Sequence, residues 1–189
     1  MILPIVAYGD PVLRKETEEI DANYPDLKQL IADMFETMYH AKGVGLAAPQ
    51  IGLPIRLFIV DAAAFNEDGD EPDLENFKRV FINPIIVEEK GKEWKFEEVC
   101  LSIPVIREDV ARKPELTIEY YNEKFELVEE KLDGLAARVV QHEYDHIEGV
   151  LFIDKIKPLK KQLIKSRLNA IVKGEIKVGY RMKFPLIKK

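Results

Sequence analysis

Three stretches of the chain repeat apolar residues at helical spacing. Residues 26 to 41 predict an amphipathic helix whose apolar face carries Leu27, Leu30, Ile31, Met34, Phe35 and Met38. A second helix is predicted from Asp133 to about Ile147, with one inward face made of Leu135, Val139, His142 and His146. A third is predicted to start at Pro158 and stop at Gly174, with an apolar side of Leu159, Leu163, Ile164, Leu168, Ile171 and Val172.

Short apolar or alternating runs predict strands in the remainder. They lie at about 55 to 61, 79 to 88, 92 to 99, 115 to 121 and 125 to 131, and the alternating residues 176 to 184 favour an extended tail. These strands cluster before the second helix instead of alternating with helices. The pattern therefore favours an α+β fold with a mostly antiparallel sheet, the second helix packed inside and a further helix near the C-terminus.

Length and composition narrow the class of protein. The chain has 189 residues, of which 47% are hydrophobic and 33% charged, as in a single globular domain. One cysteine excludes an internal disulfide framework and favours a reducing compartment. No apolar run approaches the roughly 18 residues that span a bilayer, and Pro4 interrupts an N-terminal segment without a basic start. We therefore expect a cytoplasmic protein without a membrane partner.

Charge is divided unevenly along the chain. Residues 155 to 189 hold 12 of the 28 basic residues and a single acid, Glu175, whereas the rest of the chain is acidic. An acidic body does not attract nucleic acid, so we expect no DNA partner. The basic segment could contact a polyanion, or it could be a solvated helix face; the sequence leaves both interpretations open.

Residues 142 to 146 read His-Glu-Tyr-Asp-His. Two histidines at i and i+4 on one helix face can reach one metal ion, and Glu143 beside the first can contact a water bound to that ion. The alternative is a pair of core histidines held by hydrogen bonds. Two imidazoles facing a core without partners would be costly, so the pattern favours a metal site.

A catalytic metal site needs a third protein ligand. Phe152 occupies the position where a metzincin protease has its third histidine, and phenylalanine cannot bind a metal. His40 follows the first predicted helix and is interpreted as a surface residue. Cys100 remains, either as a ligand or as a small buried hydrophobic residue. A His-His-Cys set with an open position would suit hydrolysis.

Three segments together resemble the peptide deformylase family. They are Gly43 to Gly52 (Gly-Val-Gly-Leu-Ala-Ala-Pro-Gln-Ile-Gly), Glu98 to Ser102 (Glu-Val-Cys-Leu-Ser) and Gln141 to His146 (Gln-His-Glu-Tyr-Asp-His), in the family's order. The resemblance extends over residues 1 to 155 and implies a deformylase catalytic domain there. Residues 156 to 189 would add a basic C-terminal helix and an extended tail to the same domain.

The resemblance implies a metal-dependent hydrolase that removes the N-terminal formyl group from formyl-methionyl nascent polypeptides and releases formate. Cys100, His142 and His146 would bind one divalent metal ion. Water bound to that metal would attack the formyl carbon, with Glu143 as general base and then general acid. The family metal is ferrous iron in cells, and zinc, nickel or cobalt can occupy the same ligands.

The resemblance also implies roles for residues outside the ligand set. The Gln50 side chain and the Leu101 backbone N–H would stabilise the developing oxyanion. Gly45 would let the substrate backbone approach closely. Val44 and Val139 are candidate walls of an apolar pocket for the substrate methionine. In similar bacterial enzymes a C-terminal helix docks on the ribosome, which makes the ribosome a candidate partner for the basic segment.

Two features depart from the family pattern. Val99 precedes the cysteine where the family has glycine, and valine would be strained if that position needed a positive φ but comfortable in an extended segment. The polar loop at 66 to 76 is longer than in the shortest members. Two alternatives stay open: a metallopeptidase that cuts internal bonds, and a non-catalytic deformylase-like protein that binds peptides or ribosomes.

Overall fold

The computed structural model describes residues 1–187. Three α-helices span Leu27–His40 (α1), Gly134–Ile147 (α2) and Pro158–Val172 (α3). None of these helices is both long and apolar enough to cross a membrane. Nine strands accompany them: β1 Ile5–Val6, β2 Gly45–Ala47, β3 Leu57–Asp61, β4 Lys78–Lys90, β5 Trp94–Cys100, β6 Ile103–Arg112, β7 Glu115–Tyr121, β8 Leu127–Asp133 and β9 Met182–Lys183.

The largest sheet is antiparallel throughout and has the strand order β2-β3-β4-β7-β8. Its register is set by pairs such as Phe58 with Phe81 between β3 and β4, whose rings stack at 4.6 Å. Strands β5 and β6 form a separate antiparallel hairpin, and β1 pairs in parallel with β9. The α+β class with mostly antiparallel sheets is therefore confirmed.

The first and second predicted helices match α1 and α2 to within a residue or so at each end. Strand β6 was not predicted, because its middle, Arg107-Glu108-Asp109, is charged and Pro104 stands near its start. Its pairing with β5 supplies the backbone partners that its sequence pattern does not indicate. The tail is not helical, as predicted, but bends interrupt residues 176–180 and only Met182–Lys183 forms a strand.

Helix α2 lies in the centre of the molecule. Its buried side chains Ala137, Val140 and Ile147 belong to one apolar cluster with Phe58 and Phe81 of the large sheet. The six consecutive residues from Ala136 to Gln141 are all buried, so this part of the helix is enclosed around its whole circumference. A helix held on all sides fixes its side chains accurately, which is what a metal site requires.

Helix α3 buries a narrower stripe than its sequence predicts. Ile164, Leu168 and Ile171 pack into an apolar cluster that also contains Cys100, whereas Leu159 and Leu163 are 68% and 63% exposed. At about 100° per residue, these two leucines lie some 100° or more around the helix from the buried stripe. The prediction that they share one apolar side of the helix with Ile164, Leu168 and Ile171 is therefore wrong. The shared cluster makes α3 part of the same core as the rest of the chain.

The packing of α3 predicts a stability difference. Replacing the fully buried Ile171 by alanine removes apolar contacts beside the Cys100 cluster and should cost about 2–5 kcal/mol. The exposed Leu163→Ala variant is the control and should change the free energy of unfolding by less than about 0.5 kcal/mol. Denaturant unfolding measures both. Equal stabilities for the two variants would contradict a shared core.

Candidate metal centre

The sequence-predicted ligands lie together although they come from two separate elements. Cys100 ends strand β5, and His142 and His146 lie one turn apart on α2. One ligand atom from each of the three residues lies within 4.8 Å of the others, and Cys100 Sγ is 3.3 Å from His146 Nε2. Cys100 and His146 are 6% and 1% exposed. In residues 1–187 no other group of histidine, cysteine, aspartate or glutamate side chains is arranged in this way.

Glu98, two residues before Cys100, joins the strand to the helix. Its carboxylate accepts a hydrogen bond from His142 Nδ1 at 2.9 Å, two from Arg112 at 2.7 and 2.9 Å, and one from Arg138 at 2.8 Å. A carboxylate only accepts, so the proton of neutral His142 resides on Nδ1 and its Nε2 is left for a metal. Glu98 therefore sets both the orientation and the tautomer of one ligand.

Electrostatics hold Glu98 ionised in the interior. Burial acts to raise the pKa of Glu98, but the hydrogen bonds from His142 and Arg112 outweigh it and keep that pKa well below its ordinary value. Arg112 also pairs with Asp145 on α2 at 2.7 Å, so the network ties β6 to the same helix. A buried charge with several good partners is stable, whereas the loss of one partner would leave the others uncompensated.

The three side chains fit one divalent metal ion. A thiolate and two imidazoles are donors that zinc, iron, nickel and cobalt accept, and three protein ligands leave a coordination position open. Burial lowers the pKa of His146 well below its ordinary value, so its imidazole is neutral as a ligand must be. His146 Nδ1 is buried without a hydrogen-bond partner.

Glu143 lies beside the ligand cluster without belonging to it. Burial raises the pKa of its carboxyl to about 7, and its Oε2 has no hydrogen-bond partner. A Cβ at Gly45 would stand 2.5 Å from Glu143 Oε1, so any larger residue there would displace the carboxylate. The sequence predicts Gly45 as a point of close substrate approach; the contact that the structure shows at Gly45 is with Glu143.

Gln50 lies against the segment from Cys100 to Ser102. Gln50 Oε1 accepts a hydrogen bond from the Ala47 N–H at 2.9 Å, which turns its Nε2 toward Cys100 Sγ at 3.6 Å and Ser102 Oγ at 3.3 Å. Leu101 follows the cysteine, so its backbone N–H lies next to the ligand. The structure thus brings Gln50, Leu101 and Glu143 to the same three ligands.

A cavity of about 290 Å³ opens beside these groups. Val44 and Val139, the predicted pocket walls, both line it, and Phe65, Phe96 and Val99 complete much of its apolar surface. Val99 lies in strand β5, its φ is not positive, and it is 50% exposed. Valine is therefore unstrained at this position and changes only the lining of the cavity.

Two further expectations can be checked here. His40 is exposed and lies outside the ligand cluster, as the sequence predicts. Phe152 is buried and its ring stacks on His142 with centroids 6.0 Å apart, so it supports the imidazole instead of binding a metal.

The sequence predictions did not include the hydrogen-bond network of Glu98, Arg112 and Arg138. Glu98 stands two residues from Cys100 and so on the same strand face, and Arg138 stands four residues before His142 on α2. These spacings were readable signals. The contribution of Arg112 could not be read from the sequence, because it depends on the pairing of β6 with β5.

A buried Cys-His-His cluster with an adjacent glutamate at the floor of a cavity is the arrangement of a metallohydrolase. A family model described as polypeptide deformylase matches residues 2–162. The chain belongs to the peptide deformylase family. As a member it is a hydrolase that removes the N-terminal formyl group from nascent peptides.

Known relatives cover the whole chain. Peptide deformylases of Flavobacterium johnsoniae and Christiangramia forsetii are 60% and 58% identical, with 100% of this chain and 99% of each relative covered. The crystal structure of the Thermotoga maritima peptide deformylase is 43% identical, with a TM-score of 0.74 over 84% of this chain and 99% of that one. That of the Thermus thermophilus enzyme is 37% identical, with a TM-score of 0.80 over 92% and 99%.

The contacts of Glu98 predict a change in metal affinity. Glu98→Gln keeps the shape of the side chain but removes the charge that orients His142, and outer partners of this kind are worth about 10–100-fold in affinity. Competition for zinc with a chromophoric chelator measures the effect. Glu97→Gln, a neighbouring side chain that is 58% exposed, is the control and should leave zinc affinity unchanged. Wild-type affinity in Glu98→Gln would contradict the orienting role.

Proposed function

We propose that this chain deformylates formyl-methionyl nascent chains at one divalent metal ion held by Cys100, His142 and His146. The observation that carries the proposal is the convergence of these ligand atoms within 4.8 Å, with the Glu143 carboxylate buried beside them. A divalent metal supplies Lewis acidity, which polarises a carbonyl group and acidifies water. The remaining steps are assigned to side chains and backbone groups of this chain.

Glu143 handles the proton in this mechanism. It accepts a proton from the attacking water as the oxygen adds to the formyl carbon, and it then donates that proton to the amine nitrogen as the C–N bond breaks. Formate and a free N-terminal amine result. The open space at Gly45 allows the carboxylate to lie against the backbone of β2, and its unpartnered Oε2 is free for this transfer.

Gln50 and Leu101 stabilise the negative charge that develops on the formyl oxygen. The Gln50 amide is fixed by its bond from the Ala47 N–H, so its Nε2 donor is already oriented before substrate arrives. The Leu101 N–H is the second donor. Donors that need no rearrangement during the reaction give the largest electrostatic contribution to catalysis.

The cavity beside the cluster accepts the methionine side chain. Its walls at Val44, Val139 and Phe96 are apolar, and its volume of about 290 Å³ suits an unbranched thioether. Gly45 lines the same cavity, and the substrate backbone is proposed to approach it along β2, while the space of its missing Cβ is taken by Glu143.

Glu143 is the residue whose replacement tests the mechanism. Glu143→Gln removes the proton acceptor and should lower the rate of formate release from formyl-Met-Ala-Ser by about 10²–10⁴-fold. Metal content should stay near that of the wild type, because Glu143 is not one of the three ligands. Glu148→Gln, an exposed acid just beyond the same helix, is the control and should keep full activity.

Substantial formate release by Glu143→Gln at full metal loading would remove Glu143 from the mechanism. A metallopeptidase would share the helix and the glutamate, so a casein digest should be run beside the formate assay. Casein cleavage without formate release would overturn the proposal. Formate release by the wild type would also exclude the non-catalytic alternative, whose support was Val99.

The metal in cells is proposed to be ferrous iron, with zinc, nickel and cobalt as substitutes that the same donors accept. Residues 1–155 carry the ligands and the proton-transfer group, and the predicted segment 156–189, of which 188 and 189 lie outside the described residues, adds α3 and the tail to the same domain. The shared apolar cluster of Cys100, Ile164 and Ile171 supports this organisation.

The ribosome is the proposed partner of α3. Its basic side chains Lys160, Lys161, Lys165 and Arg167 are all exposed, and the neighbouring Leu159 and Leu163 project outward as well. A helix that docks on a ribonucleoprotein can use cations for phosphates and neighbouring leucines for protein contacts.

Charge reversal tests this partner. The variant with Lys160, Lys161 and Lys165 each changed to Glu should lose most co-sedimentation with ribosomes at low salt, because each lost phosphate contact weakens binding. The control reverses Lys28, Lys124 and Lys131, which are exposed elsewhere on the protein, for the same net charge. Equal co-sedimentation of wild type and the α3 variant would end the ribosome proposal.

A further inference from the structure

The C-terminal tail returns to the body of the protein and pairs with its N-terminal strand. Strand β9 lies parallel to β1, with backbone bonds from the Ile5 N–H to the Arg181 carbonyl and from the Ala7 N–H to the Lys183 carbonyl, both 2.9 Å. The tail thereby lies against the segment from Cys100 to Ser102, some 80 residues earlier in the chain.

Two hydrogen bonds connect this strand pair to the segment that carries the cysteine ligand. The Tyr8 N–H donates to the Ser102 carbonyl at 2.8 Å, and the Tyr180 hydroxyl donates to the Leu101 carbonyl at 2.8 Å. Tyr180 and Leu101 also pack against the same apolar cluster. A tyrosine hydroxyl carries its proton at neutral pH, so Tyr180 is the donor in this bond.

We infer that Tyr180 is a positioning residue for the deformylation reaction: it fixes the Leu101 carbonyl and thereby the direction of the Leu101 N–H. The inference rests on the proposed role of that N–H as an oxyanion donor. It assigns to the tail a function separate from any contact with the ribosome.

The physical reason is the geometry of one residue. The N–H and the carbonyl of Leu101 belong to two successive rigid peptide planes joined at its Cα. Holding the carbonyl restricts rotation about the two backbone bonds between these planes, so the N–H also keeps its direction. Gln50 binds the neighbouring Ser102 hydroxyl, and Tyr8 binds its carbonyl, but the Leu101 carbonyl points to Tyr180.

The effect should appear in the chemical step more than in substrate binding. Removing an oxyanion donor outright lowers kcat by about 10²–10³-fold. Removing Tyr180's hydroxyl leaves the N–H in place but less well directed, so we expect a fall in kcat of about tenfold with KM within about twofold. A merely structural loss would instead reduce the amount of folded, metal-loaded protein.

The test uses Tyr180→Phe, which keeps the ring and removes the hydroxyl. Tyr39→Phe is the matched control, because it removes a hydroxyl on α1 that donates to Asp61 at 2.5 Å. For wild type and both variants, kcat and KM for formyl-Met-Ala-Ser are measured at equal metal content. Amide hydrogen exchange of the peptide that contains residues 100–102 is measured on the same samples.

A roughly tenfold lower kcat, an unchanged KM and faster exchange in residues 100–102, all confined to Tyr180→Phe, are the expected results. Wild-type kcat and wild-type exchange in Tyr180→Phe would overturn the inference, as would a loss explained by metal release or by equal effects of Tyr39→Phe. Full activity in Glu143→Gln, measured beside them, would instead count against the proposed function. The exchange data test the contact of Tyr180 in either case.

Discussion

The metal centre depends on the hydrogen bonds of the Glu98 carboxylate, because they link the strand that carries the cysteine to the helix that carries the histidines. The carboxylate accepts hydrogen bonds from Arg112, Arg138 and His142 in an almost fully buried position. The hydrogen bonds of this buried carboxylate must all be well formed, since a buried charge without a partner would destabilise the fold. The network therefore fixes the positions of β5, β6 and α2 relative to one another, and these positions place the ligands.

The groups around the ligands are placed by contacts of a different kind. Glu143 fits because Gly45 has no side chain, and Gln50 is aimed by a hydrogen bond from the Ala47 N–H, three residues earlier in the chain. The cysteine segment is held from behind by the terminal strands through Tyr180. The reactive face of the site is thus left open to the cavity, while its supports come from the core and from the two ends of the chain.

Much of this arrangement was predictable from the sequence, and the exceptions have physical causes. Local patterns predicted two of the helices and part of the site. They are the apolar periodicity of α1 and α2 and the spacing of His142 and His146. Strand β6 forms through its pairing with β5 despite a charged sequence. Leu159 and Leu163 are exposed because they lie away from the buried stripe of α3, and their spacing alone does not show which side of the helix is buried. Contacts across long separations carry no local sequence signal.

The central claim is that one cysteine and two histidines bind a single metal ion. X-ray absorption spectroscopy on the protein loaded with one equivalent of cobalt or zinc tests it most directly, with Cys100→Ser measured beside the wild type. The account predicts one sulfur and two imidazole donors around the metal, and the loss of the sulfur contribution in Cys100→Ser. A wild-type spectrum without sulfur, or with a single imidazole, would contradict it.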